Sequence, residues 1–93
     1  MKAIFNKVVV AQSEHTVVVE GNHYFPLESV NKEYVSETSH HTTCPWKGEA
    51  SYYTVKVNDK SSENAAWFYK NPKDAAKEIK NHVAFWKNVS VEK

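Results

Sequence analysis

The sequence predicts a mainly β protein of the α+β class, with one α-helix in its C-terminal half. Short runs of β-branched and aromatic residues, separated by turn residues, fill most of the first seventy positions. Only residues 72–82 repeat apolar side chains at helical spacing. With 93 residues, of which 41% are hydrophobic, the chain suits one compact core, so we expect residues 1–93 to form a single domain.

The N-terminal half is expected to fold as short strands. Strands are predicted over 2–5, 8–13, 16–20 and 23–25, with turns at Asn6-Lys7 and Gly21-Asn22. Pro26 favours a single helical turn over 26–30, because proline is tolerated at a first helical position. Residues 31–35 are expected to form an edge strand. The polar stretch 36–43 has no apolar alternation and is therefore predicted to be a loop.

Two strands with opposite faces are predicted after the turn at 45–48. Strand 50–57 alternates, which places Tyr53, Val55 and Val57 on one face and Tyr52, Thr54 and Lys56 on the other. After a turn over 58–62, strand 65–69 places Trp67 and Tyr69 on one side and Phe68 on the other.

The helix prediction depends on its start signals and on one apolar stripe. Asn71 is a good N-cap and Pro72 suits the first helical position. Ala75, Ile79 and Val83 then recur at intervals of four residues, which indicates a helix packed on a sheet. The tail around Trp86, Val89 and Val91 is predicted to form a last strand.

Composition argues against several classes of partner. All twelve cationic side chains are lysine and the net charge is +1. Because recognition of phosphates and guanine relies on arginine, we expect no nucleic-acid binding. No apolar run approaches the roughly 20 residues of a membrane span, and the first residues do not resemble a signal peptide. We therefore expect a cytoplasmic protein that binds no membrane; the oligomeric state is not predicted.

The segment Cys44-Pro45-Trp46-Lys47-Gly48 is the predicted site. It places the only cysteine and one of two glycines at a tight turn, where functional side chains concentrate. Cys44 is a candidate nucleophile or redox thiol, with Lys47 stabilising its thiolate and His40 or His41 as base. The alternative is that Cys44 is a buried turn residue, as free cysteines often are.

A metal or cofactor is not predicted. His40, His41 and Cys44 supply three potential zinc ligands, but structural zinc sites use four and no second pair of ligands follows. The acidic residues are scattered, so no pair for general acid–base catalysis or magnesium binding is evident.

The aromatic residues suggest a ligand pocket beside the turn. The predicted ligand-binding residues are Tyr24, Thr43, Trp46, Lys47, Tyr52, Trp67 and Tyr69. Tyrosine hydroxyls and an indole N–H would give such a pocket its polar contacts, although a small core also needs aromatic residues. The leading hypothesis is a small-molecule binding domain for an anionic or carbonyl ligand. An enzyme using Cys44 and a protein-interaction module are the alternatives.

Five segments carry a family resemblance: residues 8–13 (VVVAQS), 24–30 (YFPLESV), 43–53 (TCPWKGEASYY), 64–72 (NAAWFYKNP) and 83–86 (VAFW). Together they resemble the bacterial domain-of-unknown-function family numbered 427 over essentially the whole chain. The resemblance implies a β-tent fold, similar to Mss-four-like and methionine sulfoxide reductase B proteins. Those proteins often hold zinc with two cysteine pairs. Because this chain has only one cysteine, the resemblance does not imply a zinc site here. The family's nucleotidyltransferase-like label is not adopted either, because magnesium-binding carboxylates are not identifiable and arginine is absent.

Overall fold

Strands dominate the computed structural model, which describes residues 1–93. The nine strands are β1 Lys2–Phe5, β2 Val8–Gln12, β3 Val17–Val19, β4 Asn22–Pro26, β5 Val35–Cys44, β6 Gly48–Val57, β7 Lys60–Phe68, β8 His82–Phe85 and β9 Ser90–Glu92. Three 3-10 helices cover Leu27–Ser29, Lys32–Tyr34 and Asp74–Ile79. None of these helices is long and apolar enough to cross a lipid bilayer.

The strands form two antiparallel sheets. The smaller sheet has the order β2-β1-β9, and the larger has the order β3-β4-β8-β7-β6-β5. β5 and β3 are the edges of the larger sheet. The long β5–β6–β7 meander therefore occupies one end of this sheet, and the Pro45–Lys47 turn lies at its tip between β5 and β6.

Two groups of buried side chains lie on opposite faces of the larger sheet. The apolar core lies between the two sheets and consists of Ala3, Phe5, Val10, Ala11, Phe25, Val30, Val55, Val57, Ala65, Ala66, Val83, Phe85 and Val89. The aromatic cluster lies on the outer face and consists of Tyr24, Ala50, Tyr52, Tyr69, Ala76, Ile79 and Ala84. Successive strand residues point to opposite faces, so neighbours such as Tyr24 and Phe25 belong to different groups.

The predicted faces of β6 and β7 are confirmed. Val55 and Val57 belong to the apolar core, and Tyr53 packs against it. Tyr52 belongs to the aromatic cluster, and Trp67 packs against that cluster. Phe68 packs on the apolar core instead, as predicted, because it is adjacent to Trp67 in the strand and points to the other face.

The first hairpin confirms the Asn6-Lys7 turn. Both residues adopt the left-handed conformation, with φ of 50° and 66°. A two-residue hairpin turn requires this conformation, because only then does its twist match that of the flanking strands. The second hairpin turns one residue earlier than predicted. There Glu20 and Gly21 have positive φ values of 54° and 79°, which leaves Glu20 at the turn itself.

The predicted α-helix over 72–82 is wrong, and with it the α+β assignment. Residues Asp74–Ile79 form only a 3-10 helix, which Ala76 interrupts with a φ of −125°. Its buried residues, Ala76 and Ile79, are three apart, which is the 3-10 period. Val83, the third member of the expected stripe, is instead a strand residue of β8 in the apolar core. So short a segment gains little from helix propensity, and tertiary contacts decide its conformation.

Two other local predictions are wrong. Residues 31–35 contain a 3-10 helix, Lys32–Tyr34, which the Asn31 side chain caps by accepting from the Glu33 amide. Residues 36–43, predicted to be a loop, belong to β5. This strand is at a sheet edge and most of its side chains are exposed on both faces. It therefore needs no apolar alternation, and its threonines favour an extended backbone.

Candidate functional site

The Pro45–Lys47 turn is held in place by the chain that precedes the third 3-10 helix. The Lys73 amide donates to the Lys47 carbonyl at 2.9 Å, and the Lys73 ammonium donates to the Pro45 carbonyl at 2.7 Å. Gly48 has a φ of +112°, and a Cβ there would lie 3.4 Å from the Asn71 carbonyl oxygen. The turn is therefore braced by Lys73, and the positive φ of Gly48 disfavours a side chain at that position.

Lys47 points inward from this turn. Only 7% of the residue is exposed, and its ammonium forms an ion pair with the Glu20 carboxylate on the β3–β4 turn. The same nitrogen lies 5.2 Å from the centre of the Trp46 ring and 5.8 Å from that of Tyr69. These distances are within the range of cation–π attraction. The ammonium is thus surrounded by aromatic faces and one carboxylate.

The ion pair keeps both partners charged. Burial alone lowers the pKa of Lys47, but the Glu20 hydrogen bond, together with Tyr24 and Tyr69 nearby, outweighs burial and raises the pKa overall. The hydrogen bond from Lys47 lowers the pKa of Glu20, and the Trp46 indole adds to this effect. At neutral pH Lys47 is consequently a cationic donor, and its amine is not available as a nucleophile.

The aromatic cavity is a hollow of about 180 Å³ at the surface of the aromatic cluster. Its lining consists of Lys47, Tyr52, Trp67, Tyr69 and Trp86. The Trp67 and Trp86 rings meet edge to face, with centroids 5.7 Å apart. Four of the five lining side chains are therefore aromatic, and the fifth contributes a buried positive charge.

Hydrogen bonds fix the orientation of three aromatic rings around the cavity. The Trp67 indole donates to the Tyr24 hydroxyl at 3.1 Å, and the Trp86 indole donates to the Asn64 carbonyl at 2.7 Å. The Tyr52 hydroxyl shares a 2.9 Å hydrogen bond with Thr42. A cavity whose walls are held in this way is pre-organised, which lowers the entropic cost of binding a ligand.

The Tyr69 hydroxyl differs from these groups because it has no hydrogen-bond partner within the protein. Burial raises the pKa of Tyr69 to about 12, so the phenol stays protonated and can donate. Tyr69 therefore adds a second polar group to the cavity beside the Lys47 ammonium.

The structure brings together four of the seven predicted ligand-binding residues, Lys47, Tyr52, Trp67 and Tyr69, in the lining of one cavity. Tyr24 is fully buried behind Trp67. Trp46 is 39% exposed and contacts the Lys47 ammonium without lining the cavity. Thr43 is exposed on β5 and lies outside the lining.

Cys44 is half-buried at the end of β5 and packs against the aromatic cluster. Neither histidine is placed to activate it. His41 is three residues away along the strand, a separation of roughly 10 Å, and points to the opposite face. Its Nδ1 instead lies 3.3 Å from the Ala50 carbonyl and from the Ser51 hydroxyl. His40 is four residues away, roughly 13 Å along the strand, and its ring packs on Tyr52. The role of Cys44 as a nucleophile stays a prediction, without a base beside it.

Two residues of the site were not predicted. Trp86 lies two residues after Ala84 and therefore shares its face of the sheet. This spacing was not recognised, because the preceding residues 72–82 were predicted to form a helix. Glu20 gave no local signal, because an acidic residue at a hairpin turn is ordinarily solvated. Its partnership with Lys47 spans 27 positions of the chain.

The grouped side chains of the site are aromatic rings and hydrogen-bond donors. No three side chains among the histidines, cysteine and carboxylates come together as a ligand set. His40 packs its ring on Tyr52, with centroids 4.6 Å apart. The pre-organised features of the site are its aromatic walls and the two donors, Lys47 and Tyr69.

Comparison with known proteins identifies a family for the chain but no activity. A family model described as a domain of unknown function (DUF427) matches residues 1–93. No curated protein matches the sequence.

Proposed function

The chain belongs to the DUF427 family over its full length, and from that starting point we propose that it binds a small, flat organic molecule carrying a carboxylate or carbonyl group. The molecule would occupy the aromatic cavity. Its flat part would lie against Trp67 and Trp86, and its oxygen atoms would accept from Lys47 and Tyr69.

The observation that carries this proposal is the buried ammonium of Lys47. An ammonium has three N–H donors, and within the protein it has one hydrogen-bond acceptor, Glu20. Removing a charged group from water costs several kcal/mol unless its partners compensate. The apolar core shows that this protein can bury side chains without any charge. A charge retained beside an open cavity therefore favours a ligand that completes its hydrogen bonding.

The size of the cavity restricts the ligand. About 180 Å³ is smaller than the roughly 300–1,000 Å³ of typical ligand pockets. A single ring with one polar substituent fits this volume better than a nucleotide or a peptide. The edge-to-face indoles also favour a ring over a branched aliphatic chain, because flat surfaces stack on aromatic walls.

Glu20 sets the charge preference of the site. Its carboxylate neutralises part of the Lys47 charge, and 52% of its side chain remains exposed. A carboxylate ligand would have to share the ammonium with Glu20, whereas an amide would not meet this repulsion. Comparison of benzoate with benzamide therefore measures how strongly Glu20 competes.

The test uses benzoate and benzamide as probes, with thermal unfolding and isothermal titration as readouts. We expect saturable binding of at least one probe to the natural protein and its loss in Lys47→Met, which keeps an unbranched side chain one atom shorter but removes the donors. The matched control is Lys77→Met, an exposed lysine of the third 3-10 helix, which should bind as the natural protein does. Absence of binding by both probes, or equal binding by Lys47→Met, contradicts the proposal.

A further inference from the structure

A second cavity opens beside the opposite face of the β6–β7 hairpin. It has a volume of about 300 Å³ and shares only Tyr69 with the aromatic cavity. Leu27, Phe68 and Val83 supply its apolar wall. The Tyr53 and Phe68 rings stack almost in parallel beside it, with centroids 4.5 Å apart. Its volume reaches the lower end of the range for typical ligand sites.

An ion pair stands at the rim of this cavity. The Lys70 ammonium donates to the Glu37 carboxylate at 2.6 Å, and both side chains line the cavity. They are 56% and 43% exposed. An exposed pair of this kind contributes roughly 0–1 kcal/mol to stability, so a ligand that replaces one partner with its own charged group loses little by doing so.

Further polar groups face the cavity without a partner in the protein. The Tyr53 hydroxyl and the Asn81 side chain make no hydrogen bond to another residue, although both line the cavity. His82 Nδ1 lies 2.7 Å from the Lys80 carbonyl oxygen, which can only accept. Nδ1 therefore carries a proton, and Nε2 of the neutral ring is an acceptor. The cavity thus offers donors and acceptors close to an apolar wall.

We propose that this second cavity binds a free amino acid with an apolar side chain. The ligand's carboxylate pairs with Lys70 and its ammonium pairs with Glu37, while its side chain lies against Leu27, Phe68 and Val83. A purely anionic ligand would meet repulsion from Glu37, and a purely cationic one would meet repulsion from Lys70. A zwitterion satisfies both charges at once, and each new contact is a charge-assisted hydrogen bond.

The decisive experiment compares L-leucine with derivatives that lack one charge, using isothermal titration calorimetry on the full chain. We expect L-leucine to bind saturably, and N-acetyl-L-leucine and L-leucinamide to bind about tenfold or more weakly, as loss of one charge-assisted hydrogen bond implies. Glycine should also bind more weakly, because it leaves the apolar wall uncovered. No saturable binding of L-leucine, or equal binding of leucinamide, overturns the proposal.

Variants separate this site from the aromatic cavity. Glu37→Gln and Lys70→Met should each weaken L-leucine binding about tenfold, and both positions are exposed enough for the fold to tolerate them. Glu63→Gln and Lys77→Met are controls at exposed positions outside the cavity and should leave binding unchanged. Lys47→Met should also leave it unchanged, so failure of the benzoate site does not affect this test. Unchanged binding in both Glu37→Gln and Lys70→Met overturns the assignment.

Discussion

The apolar core and the aromatic cluster lie on opposite faces of the same sheet but are built from different side chains. The apolar core contains only alanine, valine and phenylalanine among its thirteen buried residues. The seven buried residues of the aromatic cluster include three tyrosines, and the buried Lys47 lies beside them. The apolar core shows what this chain uses when burial alone is required.

The difference shows which face of the sheet carries polar groups beyond what burial alone requires. Burial of a hydroxyl or an ammonium costs free energy unless each polar atom finds a partner. In the aromatic cluster Tyr24 and Tyr52 have partners, whereas Tyr69 and two donors of Lys47 have none within the protein. Those remaining donors reach solvent at the aromatic cavity, which is the reason for proposing a ligand site there.

Truncation in the apolar core should give the largest effect on stability. Phe25 is fully buried and meets Phe85 edge to face at 5.6 Å. Phe25→Ala should lower the free energy of unfolding by about 3–5 kcal/mol, as large cavities in cores do. Urea denaturation measures this change. A loss below that of Tyr24→Phe would contradict the division of roles between the two faces.

Removal of one hydroxyl from the neighbouring residue sharpens the comparison. Tyr24→Phe keeps the ring but leaves the Trp67 indole N–H without its acceptor. An unsatisfied buried donor costs about 1–3 kcal/mol, so urea denaturation should show a loss of that size. Probe binding should also weaken, because Trp67 loses the bond that orients it. Wild-type stability and wild-type binding together would show that this bond is dispensable.

The backbone of the turn provides the next test. Gly48→Ala should destabilise the protein by about 1–2 kcal/mol, because its φ of +112° lies well outside the left-handed region at about +57° that side chains tolerate. Gly21→Ala is the matched control, since its φ of +79° lies closer to that region and nothing lies within 4 Å of the added Cβ. Thermal unfolding of the two variants should therefore rank Gly48→Ala below Gly21→Ala. The reverse order would mean that the φ of Gly48 adds no strain beyond that of Gly21.

Alkaline pH should act on the aromatic cluster through Tyr69. Burial raises the pKa of Tyr69 to about 12 in the folded protein, against about 10 for an unfolded tyrosine. The resulting stabilisation is complete below pH 10 and is lost as the pH rises towards 12. Burial raises the pKa of Tyr24 and Tyr53 as well, so tyrosinate absorbance during an alkaline titration should show several late ionisations, and Tyr69→Phe should reduce their amplitude. An unchanged late amplitude in Tyr69→Phe would contradict the raised pKa of Tyr69.

Substitution of the buried lysine should have the smallest effect on stability and the clearest effect on binding. Lys47→Met removes the desolvation cost of the ammonium, and the Glu20 carboxylate that loses its partner is 52% exposed, so water can take over its hydrogen bonds. We expect the free energy of unfolding to change by less than about 1 kcal/mol. A loss of several kcal/mol would make Lys47 a structural residue and would remove the argument for a ligand.

Local pattern predicted the strands that carry the site, because alternation between two faces is a property of neighbouring residues. Tyr52, Trp67 and Tyr69 were placed together with Lys47 on that basis. Glu20 could not be predicted, since its contact with Lys47 depends on how distant strands pair. The helix over 72–82 failed because Val83 completes both a helical stripe and a β-strand, and only sheet pairing decides between them. Edge strand β5 was missed because solvent on both faces removes the apolar alternation.

The most direct test of the Lys47 cavity follows the three tryptophan indole N–H signals by NMR while benzoate or benzamide is added. Trp67 and Trp86 line the cavity, whereas Trp46 lies outside its lining and contacts the Lys47 ammonium. We predict that the Trp67 and Trp86 signals shift saturably in the natural protein and stay in place in Lys47→Met. Signals that do not move with either probe, or that move equally in Lys47→Met, would contradict a ligand site built around this ammonium.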